Sequence, residues 1–94
     1  MLTIHKYTLL PECAIELTEG AKILSVGDQQ GTVVMWVLLD TEKPIGKRIF
    51  MVFGTGHTLD DKKGTFEYIH LGTVQQESGF VWHVFERILA PIYY

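Results

Sequence analysis

Cysteine, basic charge and long apolar runs are all scarce in this sequence, and each scarcity excludes a class of protein. The 94 residues include one cysteine, Cys13, which cannot supply an internal disulfide or a four-ligand zinc site. Eight basic residues stand against eleven acidic ones, so the charge that an extended nucleic-acid groove needs is missing. No apolar run approaches the ~20 residues of a membrane-spanning helix, and we expect no membrane partner.

The length predicts a single domain over residues 1–94, with a core at about 3–86 and a tail at 87–94. A second domain would not fit, because domains usually hold about 100–200 residues. His5 and Lys6 break the N-terminal apolar run and no small-residue cleavage site follows, so we expect no signal peptide. Together with the single cysteine, this predicts a cytoplasmic location.

Short apolar segments rich in β-branched and aromatic residues predict strands along the whole chain. Gly, Pro, Asp and Gln bound these segments, and none has a convincing helical pattern. Their spacing of roughly 8–14 residues predicts an all-β, mainly antiparallel fold, a small barrel or sandwich of about seven strands with a short C-terminal tail. The predicted strands cover residues 3–10, 13–17, 21–26, 32–40, 48–53, 65–74 and 79–86.

Two of these strands, residues 32–40 and 48–53, are apolar on both faces. The first carries one set of apolar side chains on each face: Val33, Met35, Val37 and Leu39 against Val34, Trp36 and Leu38. Burying a large side chain contributes about 1.5–3 kcal/mol, so leaving a whole face in water forgoes on the order of 10 kcal/mol. Either the tail or another protein molecule, a second copy or a partner, should therefore cover the second face. The interface residues predicted in the tail are Ile88, Leu89, Ile92, Tyr93 and Tyr94.

Three histidines stand 13 residues apart, at His57, His70 and His83, and such a set raises the hypothesis of a zinc site. The first lies on a predicted loop and the other two on separate strands, with no assignable outer ligands. We therefore predict neither metal nor cofactor, and expect histidines that are hydrogen-bonded to backbone or water.

The string Gly54-Thr55-Gly56-His57 is the most unusual local feature of the sequence. Its glycines permit positive φ and close backbone approach, and successive free amides there can form an anion-binding nest. Stacking and charged residues near such a nest would help to hold a nucleotide; the candidates are Arg48, Trp82 and His83. The interpretation that we favour is structural: the string is a bulge or a sharp strand exit, and the tryptophans lie in the core.

No combination of nucleophile, base and orienting group can be identified from the sequence. Cys13 lies on an apolar strand face and is expected to be an inert thiol. Ser25 and Ser78 have no base that the sequence identifies. We therefore predict that the protein is not an enzyme.

Five strings, in this order, resemble a family of small uncharacterised proteins of bacteria and their phages: GAKILSV, MWVLLD, GTGH, YIHLGTVQ and GFVWHVFE. The similarity covers about residues 4–86. It implies a small β-rich fold and a phage or prophage setting, and it brings no catalytic residue. Phage accessory proteins of this size commonly act by binding, which is an argument from setting and not from fold.

The leading hypothesis is a non-enzymatic phage-type protein that engages a host protein, such as a bacterial defence complex, in the manner of an anti-CRISPR. It includes a possible homodimer. The alternative is a protein that binds or sequesters a small ligand, a nucleotide or an anion, through the loop at residues 54–57. An enzyme that uses the three histidines and a metal ranks last.

Overall fold

The computed structural model describes residues 1–59 and 64–90, and it confirms the all-β prediction. Within these ranges there is no helix long and apolar enough to cross a membrane. The described residues form seven strands: β1 (Leu2–Thr8), β2 (Glu12–Thr18), β3 (Lys22–Gln29), β4 (Thr32–Asp40), β5 (Ile45–Gly54), β6 (Phe66–Gln75) and β7 (Val81–Leu89).

The strands form two antiparallel sheets that pack as a sandwich. One sheet has three strands in the order β1-β4-β3, and the other has four in the order β2-β5-β7-β6. Along one side the edge strands β3 and β6 contact each other and join the two sheets. The β3–β4 hairpin turns through Gln30 and Gly31, which both have positive φ (53° and 84°), as the right-handed strand twist requires of a two-residue turn.

The core lies between the two sheets and is built from alternate residues of each strand. β4 contributes Val33, Met35, Val37 and Leu39 from the three-stranded sheet. Phe50 of β5 and Val84 of β7 face them, and both are fully buried. The inward-facing half of the two-sided pattern in β4 is therefore confirmed as core.

The other halves of β4 and β5 lie on the outsides of their sheets. On β4, Val34 is only 2% exposed although it belongs to the outer face. On this side, the Lys6 side chain of β1 donates a hydrogen bond to the Gln29 side chain of β3. The two side chains meet above Val34 of the intervening strand β4. Apolar Ile4 beside them is 57% exposed. Long polar side chains thus cover part of this face, and part of it stays open.

The tail differs from the prediction, because β7 continues through Leu89. Residues 87–89 pair with β6, and the amide of Ala90 donates to the Thr65 carbonyl at 3.0 Å. Ile88 and Leu89 are 37% and 75% exposed. The described part of the tail therefore extends the four-stranded sheet and does not cover a face of it. The remaining predicted interface residues, Ile92, Tyr93 and Tyr94, lie outside the described residues.

Gly72 of β6 marks a close approach of the two sheets. A Cβ at this position would lie 2.5 Å from Cγ2 of Val26 on β3. We therefore expect G72A to lower the free energy of unfolding by about 1–3 kcal/mol, since overpacking forces side chains or backbone to shift. Urea denaturation measures this loss, and it should be smaller in a V26A background.

The matched control for this prediction is G46A. Gly46 of β5 has no heavy atom within 4 Å of an added Cβ, and it has no positive φ. Its substitution should change stability by about 0.5 kcal/mol or less. Equal stabilities for G72A and G46A would show that the sheets do not meet closely at Gly72.

Candidate functional site

Aromatic side chains converge on the outer face of the four-stranded sheet, on the side away from the core. Phe53, Tyr68 and Phe85 contact one another with ring centroids 5.9, 6.0 and 6.2 Å apart. His70 lies 5.2 Å from Phe85. All four contacts are steeply inclined, the edge-to-face geometry that aromatic quadrupoles favour. These four residues are called the aromatic cluster below.

Strand register explains how this cluster forms. Phe53 of β5 is paired with His83 of β7, and the next outward residue of β7 is Phe85. Val84 between them is fully buried in the core. Three neighbouring strands thus place their outward rings side by side on one face.

A β-bulge in β6 brings a further polar residue onto the same face. The register of β6 against β7 shifts between His70 and Gly72. His70 and Thr73 are three residues apart, so in a regular strand they would point to opposite faces. Across the bulge they share one face, with His70 Nε2 and Thr73 Oγ1 3.3 Å apart.

Two hydroxyls and two imidazoles form a continuous hydrogen-bonded chain across this face. Thr55 Oγ1 lies 2.8 Å from His83 Nε2. His83 Nδ1 lies 3.3 Å from Thr73 Oγ1, and that oxygen is also the partner of His70. Both ring nitrogens of His83 are therefore hydrogen-bonded. This set, Thr55, His83, Thr73 and His70, is called the hydroxyl–imidazole chain.

The Thr55–His83 contact has the separation of a nucleophile and its base. This pair is not recognisable in the sequence, because the two residues are 28 positions apart and meet only through strand pairing. Acyl transfer also needs N–H donors for the developing oxyanion. The amides of Gly54, Thr55 and His57 all donate within the protein, to His57 Nδ1 at 3.0 Å, to the Val81 carbonyl at 3.4 Å and to the Gly54 carbonyl at 3.0 Å.

The same internal hydrogen bonds decide whether the Gly54–His57 string can form an anion-binding nest. Such a nest requires amides that are free to converge on a ligand. Three of the four amides of the Gly54–His57 string are used within the fold, so they do not form the nest of free amides that the sequence left open as the less favoured interpretation. The string is a strand exit, as the favoured interpretation of the sequence predicted, and Gly56 turns there with a φ of +90°.

The Gly54–His57 string and the start of β7 enclose a shallow cleft at one end of the sandwich. Its volume is about 420 Å³. Phe80, 61% exposed, stacks on Trp82 with centroids 5.6 Å apart and an interplanar angle of 26°. The His57 ring meets Trp82 edge-on at 6.3 Å. This end cleft is lined by Gly54, Thr55, His57, Gly79, Phe80, Val81 and Trp82.

Gly54 is required because the His57 ring lies against it. A Cβ at position 54 would lie 2.9 Å from His57 Cε1 and 3.1 Å from Nε2. The close approach predicted for this glycine is therefore real, but the approaching group is an imidazole and not a second backbone.

Trp82 at the floor of the end cleft is tied to the other sheet. Its Nε1–H donates to Gln76 Oε1 at 2.8 Å. The side-chain Nε2 of Gln76 then donates to Asp28 Oδ1 and to the Gly31 carbonyl, both at 3.0 Å. These bonds fix the indole relative to the β3–β4 turn, so the floor of the cleft is held in place.

Arg48 is not part of this site, and its prediction as a neighbour of the Gly54–His57 string is wrong. It faces the interior from β5, where Nε and Nη2 donate to the two carboxylate oxygens of Glu86, each at 2.7 Å. Nη1 donates to the Ala21 carbonyl, also at 2.7 Å. The hydrogen bonds to Glu86 raise the pKa of the Arg48 guanidinium, so it keeps its charge although it is partly buried.

The three evenly spaced histidines do not meet at one point. His70 and His83 share Thr73, whereas His57 packs on Trp82 in the end cleft. Across residues 1–59 and 64–90, no group of three or more His, Cys, Asp and Glu residues is arranged to hold a metal ion.

Together these features define a two-sheet β-sandwich with an aromatic outer face and a cleft at its end. The chain belongs to the family of DUF7352, a domain of unknown function, whose model matches residues 1–91. The match includes most of the tail, which the sequence resemblance did not. Searches of curated proteins and of solved structures found no match.

The Arg48–Glu86 ion pair allows a test of how much the buried charges beneath the site contribute to stability. Removing one partner leaves the other unpaired inside the sandwich, where Glu86 is 8% exposed. We expect R48M, which leaves the buried Glu86 carboxylate unpaired, to lower the free energy of unfolding by about 2–4 kcal/mol, and E86Q, which leaves the more exposed Arg48 unpaired, to lower it by less. Denaturant unfolding measures both losses.

The double variant R48M/E86Q completes a double-mutant cycle with the two single variants. It removes both charges together, so its loss should be well below the sum of the single losses. Additive losses would mean that the two side chains act independently.

Proposed function

We propose that this protein is a non-enzymatic binding protein and that the outer face of its four-stranded sheet docks a protein partner. The observation that carries the proposal is the aromatic cluster, which lies on a sheet face without a third layer of described strands. Aromatic residues are enriched at protein interfaces, where they supply large contact areas at low entropic cost.

The charges around the cluster favour a protein over a nucleic acid as the partner. Arg87 lies on this face with its guanidinium 4.3 Å from the centre of the Phe66 ring, and it pairs with Glu12 at 3.2 Å. A mixed, internally paired rim around an apolar centre is the usual anatomy of a protein interface. A phosphate backbone would require unpaired basic side chains, and the chain has a net charge of −3.

The non-enzymatic part of the proposal rests on the surroundings of Thr55. Its hydroxyl contacts the His83 imidazole, but three amides of its own string are hydrogen-bonded inside the protein. The pair therefore lacks those amides as ready donors for an oxyanion. A hydrogen-bonded chain on an otherwise apolar face suits recognition, because its polar atoms already have partners when water is displaced.

The partner that we propose is a bacterial host protein, in particular a component of a defence complex whose action is blocked by binding. The support is the resemblance of the five sequence strings to phage and bacterial proteins, together with the small size of the chain. The proposed location is accordingly the cytoplasm of the host cell.

A second candidate function is the binding of a small ligand. The specific observation is that four residues predicted for such a site, Gly54, Thr55, His57 and Trp82, do line one cleft. Its volume of about 420 Å³ falls within the range of ligand pockets, about 300–1,000 Å³. His83 contributes through its hydrogen bond to Thr55.

Site-specific photo-crosslinking in bacterial cells tests which face docks a partner. A benzophenone amino acid replaces Tyr68, in the aromatic cluster, or Ile4, which is 57% exposed on the opposite sheet. We expect a discrete adduct with a host protein from position 68 and none from position 4. An adduct of twice the chain's mass would instead identify a second copy as the occupant, and an adduct from position 4 alone would contradict the proposed face.

A second prediction concerns the consequence of docking. Among strains that each carry one bacterial defence system, expression of the chain should restore phage plating on at least one. F85A should abolish this rescue, because truncating an interface hot spot costs about 2 kcal/mol or more, roughly 30-fold in affinity.

The matched control for F85A is L38A, which truncates a half-buried residue on the outer face of the other sheet. It should keep the rescue, and thermal unfolding should show both variants folded. Rescue on no strain would contradict the defence complex as the partner, while adducts from position 68 would still support a docking face.

A further inference from the structure

We infer that the end cleft binds an uncharged heteroaromatic ring of nucleobase size, as in a nucleoside, and that it recognises the ring and not an anionic group. This inference rests on the second candidate function, small-ligand binding, and assigns its ligand class. It is independent of the docking face on the sheet.

The first observation is an open stacking surface. Phe80 is 61% exposed and lies nearly parallel to Trp82, at an interplanar angle of 26°. Such an aromatic pair, anchored by the Trp82–Gln76 hydrogen bond, presents a firm platform for another planar ring. Every nucleobase has a π-face that can stack on an aromatic side chain, so this contribution to binding does not depend on which base is present.

The second observation is a hydrogen-bond donor of defined identity. The Gly54 amide donates to His57 Nδ1 at 3.0 Å, so this nitrogen carries no proton in that arrangement. The proton of the neutral imidazole is therefore on Nε2, which makes Nε2 a donor. A ring nitrogen or exocyclic oxygen of a heteroaromatic ligand accepts such a bond, whereas a plain phenyl ring does not.

The third observation concerns charge. Among the described residues that line the end cleft there is no Lys, Arg, Asp or Glu. Arg48, the cation expected near this loop, is paired with Glu86 in the interior. Three loop amides are also used internally. From the described lining, a phosphate in this cleft would gain neither a cation nor a nest of donors in exchange for its lost hydration, so the ring supplies the binding energy.

Gly54 provides a sharp test of this arrangement. Its φ lies outside the left-handed region, so alanine is compatible with the strand. The added Cβ would nevertheless lie 2.9 Å from His57 Cε1, and the imidazole must move away. G54A should therefore remove the donor without unfolding the protein, and F80A should remove the stacking platform.

The experiment is a nuclear magnetic resonance titration of the ¹⁵N-labelled full chain. Adenosine carries the ring without a phosphate, and ribose 5-phosphate carries the phosphate without a ring. We expect saturable shifts of the Trp82 indole N–H and of the Gly54 and His57 amides with adenosine, and none with ribose 5-phosphate. G54A and F80A should weaken adenosine binding at least tenfold, and G46A should match the unaltered chain.

The outcomes that contradict this expectation separate the ring assignment, the small-ligand function and the location of the site. Binding of ribose 5-phosphate but not adenosine would overturn the ring assignment and leave a small-ligand function in place. Binding of neither would overturn both. Adenosine shifts that are unchanged in G54A and F80A would place the ligand outside the end cleft and overturn the inference.

Discussion

A sandwich of two sheets has one interior, so any strand that is apolar on both sides must turn one of them outward. β4 and β5 are such strands, and the shape of the whole molecule depends on this constraint. In the three-stranded sheet the outward side is partly closed by Lys6 and Gln29, whose hydrogen bond spans Val34. In the four-stranded sheet it is filled by rings that pack edge to face. Apolar surface of the second kind is stabilised by the contacts of its rings with one another.

Most of the fold follows from local patterns, and most of the site does not. Alternation along residues 32–40 identifies the core side chains of β4, and turn residues bound all seven strands. The sequence does not predict the last residues of β7, because Arg87 and Pro91 are typical of an irregular tail. Pairing with β6 nevertheless extends the strand to Leu89. The place of Arg48 is hidden for a similar reason: the sequence does not reveal that Glu86 lies beside it on the neighbouring strand of the sheet.

The polar part of the site depends on a feature that leaves no clear signal in the sequence. A bulge between His70 and Gly72 reverses the alternation of β6, so that Thr73 joins His70 and His83 on the outer face. Gly72 beside the bulge also lets Val26 of the facing sheet come close. The glycine is the one available clue, since an isolated glycine within a strand often marks a bulge or a close backbone approach. One local irregularity thus sets both the packing of the two sheets and the chemistry of the exposed one.

Thr55 belongs to both the end cleft and the hydroxyl–imidazole chain, and this shared position links the two surfaces. Its amide holds β5 to β7 through the Val81 carbonyl, while its hydroxyl meets His83 on the outer face. His83 in turn has both nitrogens hydrogen-bonded, so a partner can cover it without stranding an unpaired polar atom. A ligand that reorients Thr55 in the cleft would break its hydrogen bond to His83. Burying the face would then leave a ring nitrogen of His83 unpaired, which raises the free-energy cost of docking. Because coupling between two binding sites is reciprocal, a docked partner would disfavour such a ligand to the same extent. The face and the cleft thus share Thr55, although the proposal for each rests on its own observations.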